Sequence, residues 1–489
     1  EGGPMFQLDL RGDKPLYLQL RDALRARILS GELPPGKLPS SRELAQAMHL
    51  SRGTVDEAYR YLMEDGLLET RRGLGTFVLP TARVQATPSG LKGPDWESMI
   101  TPSARRFTHY REEVGRMERP AAGVISFASL APDHHVFSAE AFRKAMNDAL
   151  AREGGVLLNY GYVPGYEPLR GYLKEYLGSK GIDFAGQQLL ITNGFRQGVE
   201  LVLRTLVEEG ETVFVEAPCY NGVLGLLKSR GARIVPIEMD GQGMSAQALE
   251  RALQKERPKL IYCVPTYQNP TGLNMGFERR ERILSLCAQY GVPVLEDGFS
   301  EELRYRGESY PALKAMDRSG VVIYAGSFSK VLFPGLRVGW VVAPEALARY
   351  LLNEKYNEDI HTAVLQQAGL YEFCRRGHLE RHLRASRALY RQRMETMLSE
   401  LERQFSDIAH WPRSYGGFSV FVSFEEGVDT RRLLKAARRS GVLYVPGDVF
   451  YPDGRGKNSL RLGFSRLECD KIVEGMARLR RVFREELGI

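Results

Sequence analysis

The sequence is poor in cysteine and tryptophan, and it has no long apolar run. No apolar stretch approaches the roughly 20 residues that a membrane-spanning helix needs, so we expect a cytoplasmic protein with no membrane partner. The cysteines form no CxxC pair, so the spacing of neither a disulfide framework nor a zinc site is present, and we expect no metal. The five cysteines are Cys219, Cys263, Cys287, Cys374 and Cys469.

Excess charge is also lacking. The formal net charge is +7 over 489 residues, and acidic and basic residues nearly cancel between positions 5 and 80. Nucleic-acid binding therefore cannot be inferred from charge and must rest on the arrangement of residues. Hydrophobic residues make up 43% and charged residues 26% of the chain, which is typical of globular proteins, and the length predicts more than one domain.

Three helices are predicted in the N-terminal region. Apolar residues recur at every fourth position from Leu16 to Ile28, which is the spacing of a buried stripe on one helix. Ser40 and Glu43 have the spacing of a capping box, so a second helix is expected to begin there. Ser51 can cap a third helix. Its predicted core positions are Val55, Ala58, Tyr59 and Leu62.

A hairpin is predicted after the third helix, because residues 67–72 and 76–78 have strand composition and flank a Gly-Leu-Gly turn. Three helices followed by a hairpin make a winged helix-turn-helix. The recognition helix of such a domain needs small polar and basic side chains at its N-terminal end, where base edges and phosphates come within reach. The residues expected to contact DNA are Ser41, Arg42, Ser51, Arg52, Thr54 and Gly75.

Periodicity alone fits a small helical bundle with solvated arginines equally well. However, residues 38–45, 50–55, 66–68 and 73–78, in unbroken order, resemble the GntR-type winged helix. The resemblance implies that this region binds double-stranded operator DNA. We therefore predict a DNA-binding domain over residues 5–80.

Residues 81–122 lack apolar periodicity and predict an interdomain linker. A large domain is expected from residue 123 to 489. Apolar runs at 212–215, 260–264, 292–295 and 321–324 alternate there with helical stretches, which predicts an α/β fold with a mostly parallel sheet.

Polar clusters follow these predicted strands, at residues 216–220, 265–272, 296–299 and 326–330. Ligands of open α/β sheets gather at the carboxyl ends of the strands, so these clusters are expected to form one pocket. Residues 192–198 open a helix whose first amides could bind a phosphate. The order of these clusters resembles the fold-type I pyridoxal-phosphate domain of aminotransferases. Together with the N-terminal region, the chain is similar to the MocR (GabR-like) subfamily of GntR-type regulators.

The resemblance implies pyridoxal 5'-phosphate as the cofactor and assigns roles around its ring. Lys330 is the catalytic lysine, whose amine binds the cofactor aldehyde covalently. Asp297 pairs with the pyridine nitrogen, and Asn269 donates a hydrogen bond to the phenolic oxygen. Tyr220 stacks on the ring, although a tyrosine of the core is the alternative interpretation.

The resemblance also implies a phosphate site and a substrate site. Tyr162 is expected to reach the cofactor phosphate of a partner subunit, which makes the protein a homodimer. Arg461 is expected to bind the carboxylate of the effector, with Arg466 as the second choice. The residues expected around the phosphate are Gly194, Phe195, Arg196, Ser327, Ser329 and Arg337.

Three functions share these residues. The first is a transcription regulator that senses a small amine or amino acid through its aminotransferase-like domain. The second is a functional aminotransferase with an accessory DNA-binding domain, and the third is a regulator that senses pyridoxal phosphate itself. The winged helix favours a regulator, since an aminotransferase has no physical need for one. Phe299 cannot hydrogen-bond the phenolic oxygen as the tyrosine of many relatives does, so at most a residual half-reaction of transamination is expected.

Overall fold

The computed structural model describes residues 13–80, 93–114 and 121–488. These residues fall into two compact units, which divide between Met99 and Ile100. Among the described residues, none of the helices is both long enough and apolar enough to cross a membrane. All five cysteines are free thiols.

The small unit has its own hydrophobic core, formed by three helices and a short sheet. Leu20, Leu24 and Ile28 are buried as the periodicity predicts, whereas Leu16 is 47% exposed at the start of the first helix. The elements are α1 Leu16–Ser30, β1 Gly36–Lys37, α2 Ser41–Met48, α3 Arg52–Glu64, β2 Leu68–Arg71, β3 Gly75–Val78 and α4 Trp96–Met99.

Two predicted helix caps of the small unit are confirmed. The Ser40 hydroxyl accepts a hydrogen bond from the Glu43 amide at 3.2 Å, and the Glu43 carboxylate accepts one from the Ser40 amide at 2.7 Å. The Ser51 hydroxyl accepts a bond from the Thr54 amide at 3.1 Å. Because these bonds satisfy amides that the helix itself leaves unpaired, they fix where α2 and α3 begin.

The wing contains one strand more than the sequence predicts. Strands β2 and β3 pair antiparallel as expected, and β1 adds to the other edge of β3, giving the order β1-β3-β2. Strand β1 is only two residues long. A segment of that length has no alternation of apolar and polar residues, so its pairing could not be predicted from the pattern.

The large unit is an α/β fold, as predicted. Its elements before the large sheet are α5 Pro102–Val114, β4 Ile125–Ser126, α6 Ala139–Glu153 and α7 Glu167–Gly178. The large sheet and its helices follow as β5 Gln187–Thr192, α8 Phe195–Leu206, β6 Thr212–Ala217, α9 Asn221–Arg230, β7 Arg233–Asp240, β8 Gly243–Met244, α10 Ala246–Lys255, β9 Leu260–Cys263, α11 Phe277–Tyr290, β10 Val294–Asp297, α12 Leu313–Met316, β11 Val322–Ser327 and β12 Gly339–Pro344.

The C-terminal part of the large unit carries long helices and a second, smaller sheet. Its elements are α13 Glu345–Asp359, α14 Val364–Arg375, α15 His378–Phe405, β13 Ala409–His410, β14 Ser419–Phe424, α16 Thr430–Arg439, β15 Val442–Leu443, β16 Val445–Pro446, β17 Ser459–Gly463 and α17 Cys469–Leu487. The strand order of the smaller sheet is β13-β14-β17-β16. Short 3-10 helices lie at His134–Val136, Gly154–Leu158, Pro334–Leu336 and Gly447–Phe450.

The large sheet has the strand order β5-β12-β11-β10-β9-β6-β7-β8. Strands β11, β10, β9, β6 and β7 pair in parallel, and β12 runs antiparallel to both β11 and β5. Phe214 packs with α10 and α11 on one face, while its neighbours Val213 and Val215 pack with α8 and α9 on the other. The carboxyl ends of β5, β6, β9, β10 and β11 therefore meet at one edge.

Part of the predicted linker is structured. Helix α5 packs on α9, with the Tyr110 side chain buried and its hydroxyl donating to the Asn221 carbonyl. Phe107 packs beside it. The helix is otherwise mostly polar, with Ala104 and Val114 as its further apolar residues, so its periodic signal is weak. Residues 81–92 and 115–120 of the predicted linker lie outside the described residues, and the linker boundaries stay a prediction.

Candidate functional site

The residues predicted to surround the cofactor come together at the carboxyl edge of the large sheet. Asp297 is the last residue of β10 and Ser327 the last residue of β11. Asn269 lies in the loop that follows β9, and Tyr220 is the residue directly before α9, in the loop that follows β6. The parallel strands thus bring side chains far apart in the sequence to one edge, as the sequence predicts.

Lys330 lies just after β11 and is only partly exposed. Its Nζ donates a hydrogen bond to the Leu130 carbonyl at 2.9 Å. Burial and, to a smaller extent, the positive charge of Arg461 lower the pKa of this ammonium to about 8, while Asp297 opposes the shift. The lysine therefore has a neutral, nucleophilic amine in a much larger fraction of molecules than an exposed lysine has.

Asp297 is buried beneath the site, with 2% of its surface exposed. Its Oδ2 accepts a hydrogen bond from the Tyr262 hydroxyl at 2.6 Å, and its Oδ1 accepts one from the Phe299 amide at 3.0 Å. Burial raises the pKa of this carboxyl to about 7 even though both bonds favour the charged form. A cation placed against the carboxylate would relieve that burial penalty.

The loops that hold Asn269 and Tyr220 are joined by a side-chain hydrogen bond. The Gln268 side-chain amide donates to the Pro218 carbonyl at 2.7 Å, which links the loop after β9 to the loop after β6. The fully buried Arg280 donates to the Pro265 carbonyl at 3.0 Å from the other side. The positions of the Asn269 and Tyr220 side chains therefore depend on buried polar contacts rather than on a strand.

The predicted phosphate residues form a cluster around Gly194, which has a φ of +77°. A Cβ atom added at this glycine would overlap the guanidinium of Arg337, so any side chain would fill the space between Gly194 and Arg337. Arg337 donates to the Ser329 hydroxyl at 3.2 Å and to the Asn193 carbonyl at 3.5 Å. The Ser329 amide in turn donates to the Ser327 hydroxyl at 3.0 Å.

Helix α8 begins at Phe195, directly after Gly194, and no side chain caps its first turn. The amides of Phe195 and Arg196 thus lie at a helix N-terminus, where an anion is favoured. The Arg196 side chain is exposed, and its guanidinium lies 5.5 Å from the centre of the Phe107 ring on α5. Only the backbone of Arg196 is placed at the cluster by these contacts.

Arg461 on β17 is 5% exposed and extends to the loop after β9. It donates to Asn269 Oδ1 at 3.0 Å and to the Ala128 carbonyl at 3.2 Å, and it lies 4.9 Å from the centre of the Phe450 ring. Its Nε has no hydrogen-bond partner among the described residues. Burial lowers the pKa of this guanidinium to about 10. The second choice, Arg466, is exposed and lies beyond the end of the strand.

The residues predicted to contact DNA lie on the surface of the small unit. Arg42 and Arg52 are exposed in the first turns of α2 and α3, and Arg52 pairs with Asp56 at 3.4 Å. The Ser51 hydroxyl lies 2.8 Å from the Thr54 hydroxyl, so both belong to the cap of α3. Two further residues of the set, Ser41 and Gly75, begin α2 and β3; Gly75 has a φ of +110°.

Family models match both parts of the chain. Residues 123–479 match aminotransferase class I and II, and residues 16–78 match the gntR family of bacterial regulatory proteins. The probable rhizopine catabolism regulatory protein MocR of Rhizobium meliloti is 31% identical over 98% of this chain and 96% of its own length. The chain belongs to the MocR-type branch of the GntR family.

The large unit of this MocR-type protein is also similar to enzymes. Aromatic-amino-acid aminotransferase 1 of Thermococcus litoralis is 35% identical, over 74% of this chain and 89% of the enzyme. The crystal structure of the alpha-aminoadipate aminotransferase LysN of Thermus thermophilus, complexed with N-(5'-phosphopyridoxyl)-L-leucine, superposes with a TM-score of 0.74. Its identity is 33%, over 81% of this chain and 100% of that one. These similarities confirm the predicted fold class and family.

One predicted residue of the MocR-type site stands apart. Tyr162 is 84% exposed, and Tyr160 beside it is 81% exposed. Their exposure leaves both rings available to another molecule, and the expectation that Tyr162 reaches a partner subunit stays a prediction.

No metal was expected, yet one group of possible ligands occurs among the described residues: Asp133, His134 and His135. Asp133 is already paired with the buried Arg393 at 2.7 Å.

The partner of Asp297 was not predicted from the sequence. Tyr262 lies within the predicted strand β9, and Leu295 is its register partner on β10. A tyrosine in a fully buried strand needs a partner for its hydroxyl, which is a usable signal. The signal does not say which carboxylate is that partner, because the answer depends on the order of strands in the sheet.

Proposed function

We propose that this MocR-type protein is a transcription regulator that binds operator DNA through its winged helix and holds pyridoxal phosphate in its large unit, where it senses a small amine or amino acid. The proposal that it binds operator DNA rests on its membership of a family of DNA-binding regulators. The single observation that carries the proposed cofactor and effector site is the cluster of Lys330, Asp297, Asn269 and Arg461 at one edge of the large sheet.

The donor set of the cluster fits this cofactor. Asp297 offers a carboxylate for the pyridine nitrogen of the cofactor. The positive charge of that nitrogen, once protonated, would offset part of the burial penalty that raises the pKa of Asp297. The carbonyl oxygen of Asn269 is used by Arg461, which leaves the amide nitrogen of Asn269 as the donor for the phenolic oxygen. Ser327, Ser329, Arg337 and the amides of Phe195 and Arg196 supply hydrogen-bond donors suited to a phosphate, and Gly194 leaves the space for it.

Bound pyridoxal phosphate supplies an aldehyde that combines reversibly with amines and a ring that withdraws electrons from them. The chain contributes the groups that control this chemistry. Lys330 Nζ is a neutral amine in a useful fraction of molecules because burial lowers the pKa of its ammonium form to about 8. Tyr262 and the Phe299 amide fix the orientation of the Asp297 carboxylate.

Arg461 is proposed to bind the carboxylate of the effector. Its Nε lacks a partner among the described residues, and an unpartnered buried donor is costly unless a ligand satisfies it. The guanidinium already contacts Asn269, so an effector carboxylate at Arg461 would lie next to the residue proposed at the cofactor ring. An amino acid fits this arrangement better than a simple amine.

Dimer formation through the large units would present two winged helices to DNA. Tyr162 is proposed to reach the partner's phosphate, which would complete each site only in the homodimer. Two linked winged-helix domains imply two half-sites in the operator. Direct repeats are as feasible as palindromes if the predicted linker, residues 81–122, lets each winged helix choose its orientation.

The test combines DNA selection with spectroscopy on the full-length protein. Selection from a random double-stranded DNA library is expected to return a motif with two half-sites. The cofactor absorbance is then followed while the common amino acids and their decarboxylated amines are added. We expect one compound class to change the spectrum and the DNA affinity together. Independent behaviour of the two readouts would contradict the proposal.

The similarity to named aminotransferases favours a second candidate, an enzyme with an accessory DNA-binding domain. Incubation with the spectroscopically active amino acid and excess 2-oxo acid separates the two. Product accumulating to many equivalents per site would support the enzyme, whereas at most one equivalent is expected of the regulator. A regulator that senses the cofactor itself would change its DNA affinity when pyridoxal phosphate alone is added.

A further inference from the structure

A buried lysine lies behind the phosphate cluster, outside the set of residues assigned so far. Lys355 on α13 is 0% exposed. Its Nζ donates to the carboxylate of Asp359 at 2.8 and 2.9 Å, to the Thr362 hydroxyl at 3.0 Å and to Gln197 Oε1 at 3.3 Å. These acceptors belong to the end of α13, the turn after it and the first turn of α8, so one ammonium joins three segments.

Gln197 connects this lysine to the phosphate loop. Its Oε1 accepts a hydrogen bond from the Asn193 amide at 2.7 Å, and its Nε2 donates to the Asp359 carboxylate at 2.8 Å. An ammonium only donates, so Lys355 requires the oxygen of the Gln197 amide to face it. The same oxygen is then fixed opposite the Asn193 N–H, next to Gly194. Without the ammonium, Gln197 Oε1 loses one of its two donors, and the Asp359 carboxylate that accepts from Gln197 Nε2 loses its charged partner, so the Gln197 side chain is held less firmly beside Asn193.

On its other side the lysine is connected to the segment that carries Tyr162. The Thr362 carbonyl accepts a bond from the Gln367 side chain at 2.7 Å, and Gln367 Oε1 accepts one from the Tyr166 amide at 2.8 Å. Gly165 has a φ of +108°, and an added Cβ there would approach Gln367 Oε1 to 2.9 Å. The backbone of this segment is therefore packed against Ile191, whose side chain the added Cβ would approach to 2.5 Å, and beside the polar network.

A contribution to folding stability does not explain why Lys355 is retained in this buried polar network. Removing an ammonium from water is costly, and replacement of buried ion pairs by apolar residues is often neutral or stabilising. The side chain of Asp359, the charged partner, is 25% exposed, so its attraction for Lys355 is partly screened. What the ammonium does provide is orientation, since its three N–H groups each require an acceptor in a defined direction.

We propose that Lys355 is a positioning residue for the cofactor phosphate: through Gln197 it fixes the Asn193–Gly194 loop, and through Thr362 and Gln367 it ties that loop to the segment bearing Tyr162. The inference rests on the proposed cofactor. It adds that phosphate affinity depends on a lysine that does not touch the phosphate.

The test compares pyridoxal phosphate with pyridoxal, which lacks the phosphate, in titrations of the full-length protein freed of cofactor. For Lys355→Met, we expect the affinity for pyridoxal phosphate to fall on the order of tenfold, because bonds to a charged donor are lost. The affinity for pyridoxal is expected to change less than about twofold. A merely structural lysine would not change the ratio of the two affinities.

Lys314 offers a matched control. It is also buried, at 4% exposure, and its Nζ donates to the Val322 carbonyl at 2.7 Å. Lys314→Met removes a buried ammonium from the same unit without touching the phosphate loop, so the ratio is expected to stay at the wild-type value. If Lys355→Met does not fold, Gln197→Leu carries the test, since it breaks the link to Asn193 and leaves Lys355 paired with Asp359.

The outcomes separate this inference from the proposed function. A wild-type protein that binds pyridoxal phosphate no more tightly than pyridoxal would overturn the cofactor assignment itself. A phosphate preference in the wild type that persists unchanged in folded Lys355→Met, or in Gln197→Leu, would overturn the positioning role alone. Equal losses for both ligands would do so as well.

Discussion

The two units present their predicted functional residues in opposite ways. In the small unit Arg42 and Arg52 are exposed, and the helices beneath them are fixed by caps and a separate core. In the large unit Asp297 and Arg461 are buried, and burial shifts the pKa of each.

The difference follows from the ligands that we propose. A DNA phosphate is met at a surface in high dielectric, where a charge needs only to be within reach. A small ligand enclosed in a pocket is distinguished by buried groups whose charge is costly until the ligand arrives. The small unit is therefore expected to lose function gradually with single changes, and the large unit abruptly.

The largest effect is expected for Lys330→Ala. Sodium borohydride should fix the cofactor covalently to the wild-type chain and leave none on the variant, because the variant has lost the amine that binds the cofactor aldehyde. Operator binding should be retained, since the small unit has its own core, while the response to the effector is lost. Mass spectrometry of the reduced protein and footprinting with and without effector measure these outcomes. Full retention of fixed cofactor would contradict the assignment of the pocket.

How far the sequence predicts each unit also differs, for a physical reason. The caps at Ser40 and Ser51 are local, because all their atoms lie within a few residues, and both predictions are confirmed. The contact of Tyr262 with Asp297 joins neighbouring strands, and that of Lys355 with Gln197 joins α13 to α8. Such contacts depend on the strand order and packing, which no local pattern encodes.

Two cases lie between these extremes. The choice between Arg461 and Arg466 depends on which residues of one short segment form the strand, and the structure buries Arg461 on β17 and exposes Arg466. The family resemblance places this segment at the substrate site, but its exact alignment is ambiguous, so the sequence offers no physical reason to separate the two arginines. Helix α5 was included in the predicted linker because its sequence is mostly polar, although Phe107 and Tyr110 pack against the rest of the large unit.

The second largest effect concerns the linkage of two DNA-binding heads. An isolated fragment of residues 5–80 is expected to fold, because its core is self-contained. It should bind the selected operator about 10²–10⁴-fold more weakly than the full-length dimer, since the second head then binds without the benefit of a high effective concentration. Fluorescence anisotropy at one salt concentration measures both. Equal affinities would show that the large unit does not link the heads, provided that circular dichroism confirms a folded fragment.

A smaller effect is expected for single arginines of the small unit. Arg52→Ala should weaken operator binding about tenfold and reduce discrimination between sequences, as expected for a residue at the start of a recognition helix. Arg42→Ala should weaken binding to all DNA and lower the slope of log affinity against log salt by about one.

Arg60 provides the control for both arginines. It is exposed on the same α3 helix but pairs with Glu57 and Glu64, away from the first turn. Arg60→Ala is expected to leave operator affinity within about twofold of the wild type, because loss of a surface ion pair is worth little. If Arg60→Ala were as damaging as Arg52→Ala, the recognition helix would not be oriented as we propose.

The smallest expected effect is a change in pH dependence. The rate at which cofactor-free protein captures pyridoxal phosphate should rise with pH and level off above an inflection near the Lys330 pKa of about 8, because only the neutral amine attacks the aldehyde. Arg461 lowers this pKa by its positive charge, so Arg461→Met should move the inflection to higher pH. Asp297 raises it, so Asp297→Asn should move the inflection to lower pH.

The opposite signs of these two shifts make the prediction specific to charge near Lys330. A general loss of stability would slow capture in both variants without moving the inflection in opposite directions. Arg466→Met removes an exposed arginine from the same C-terminal segment and should leave the inflection in place. Stopped-flow absorbance across a pH series that brackets the Lys330 pKa measures the inflections. Shifts of the same sign in the Arg461 and Asp297 variants would mean that the electrostatics of the buried site do not set the reactivity of Lys330, and the contrast between the two units would then rest on burial alone.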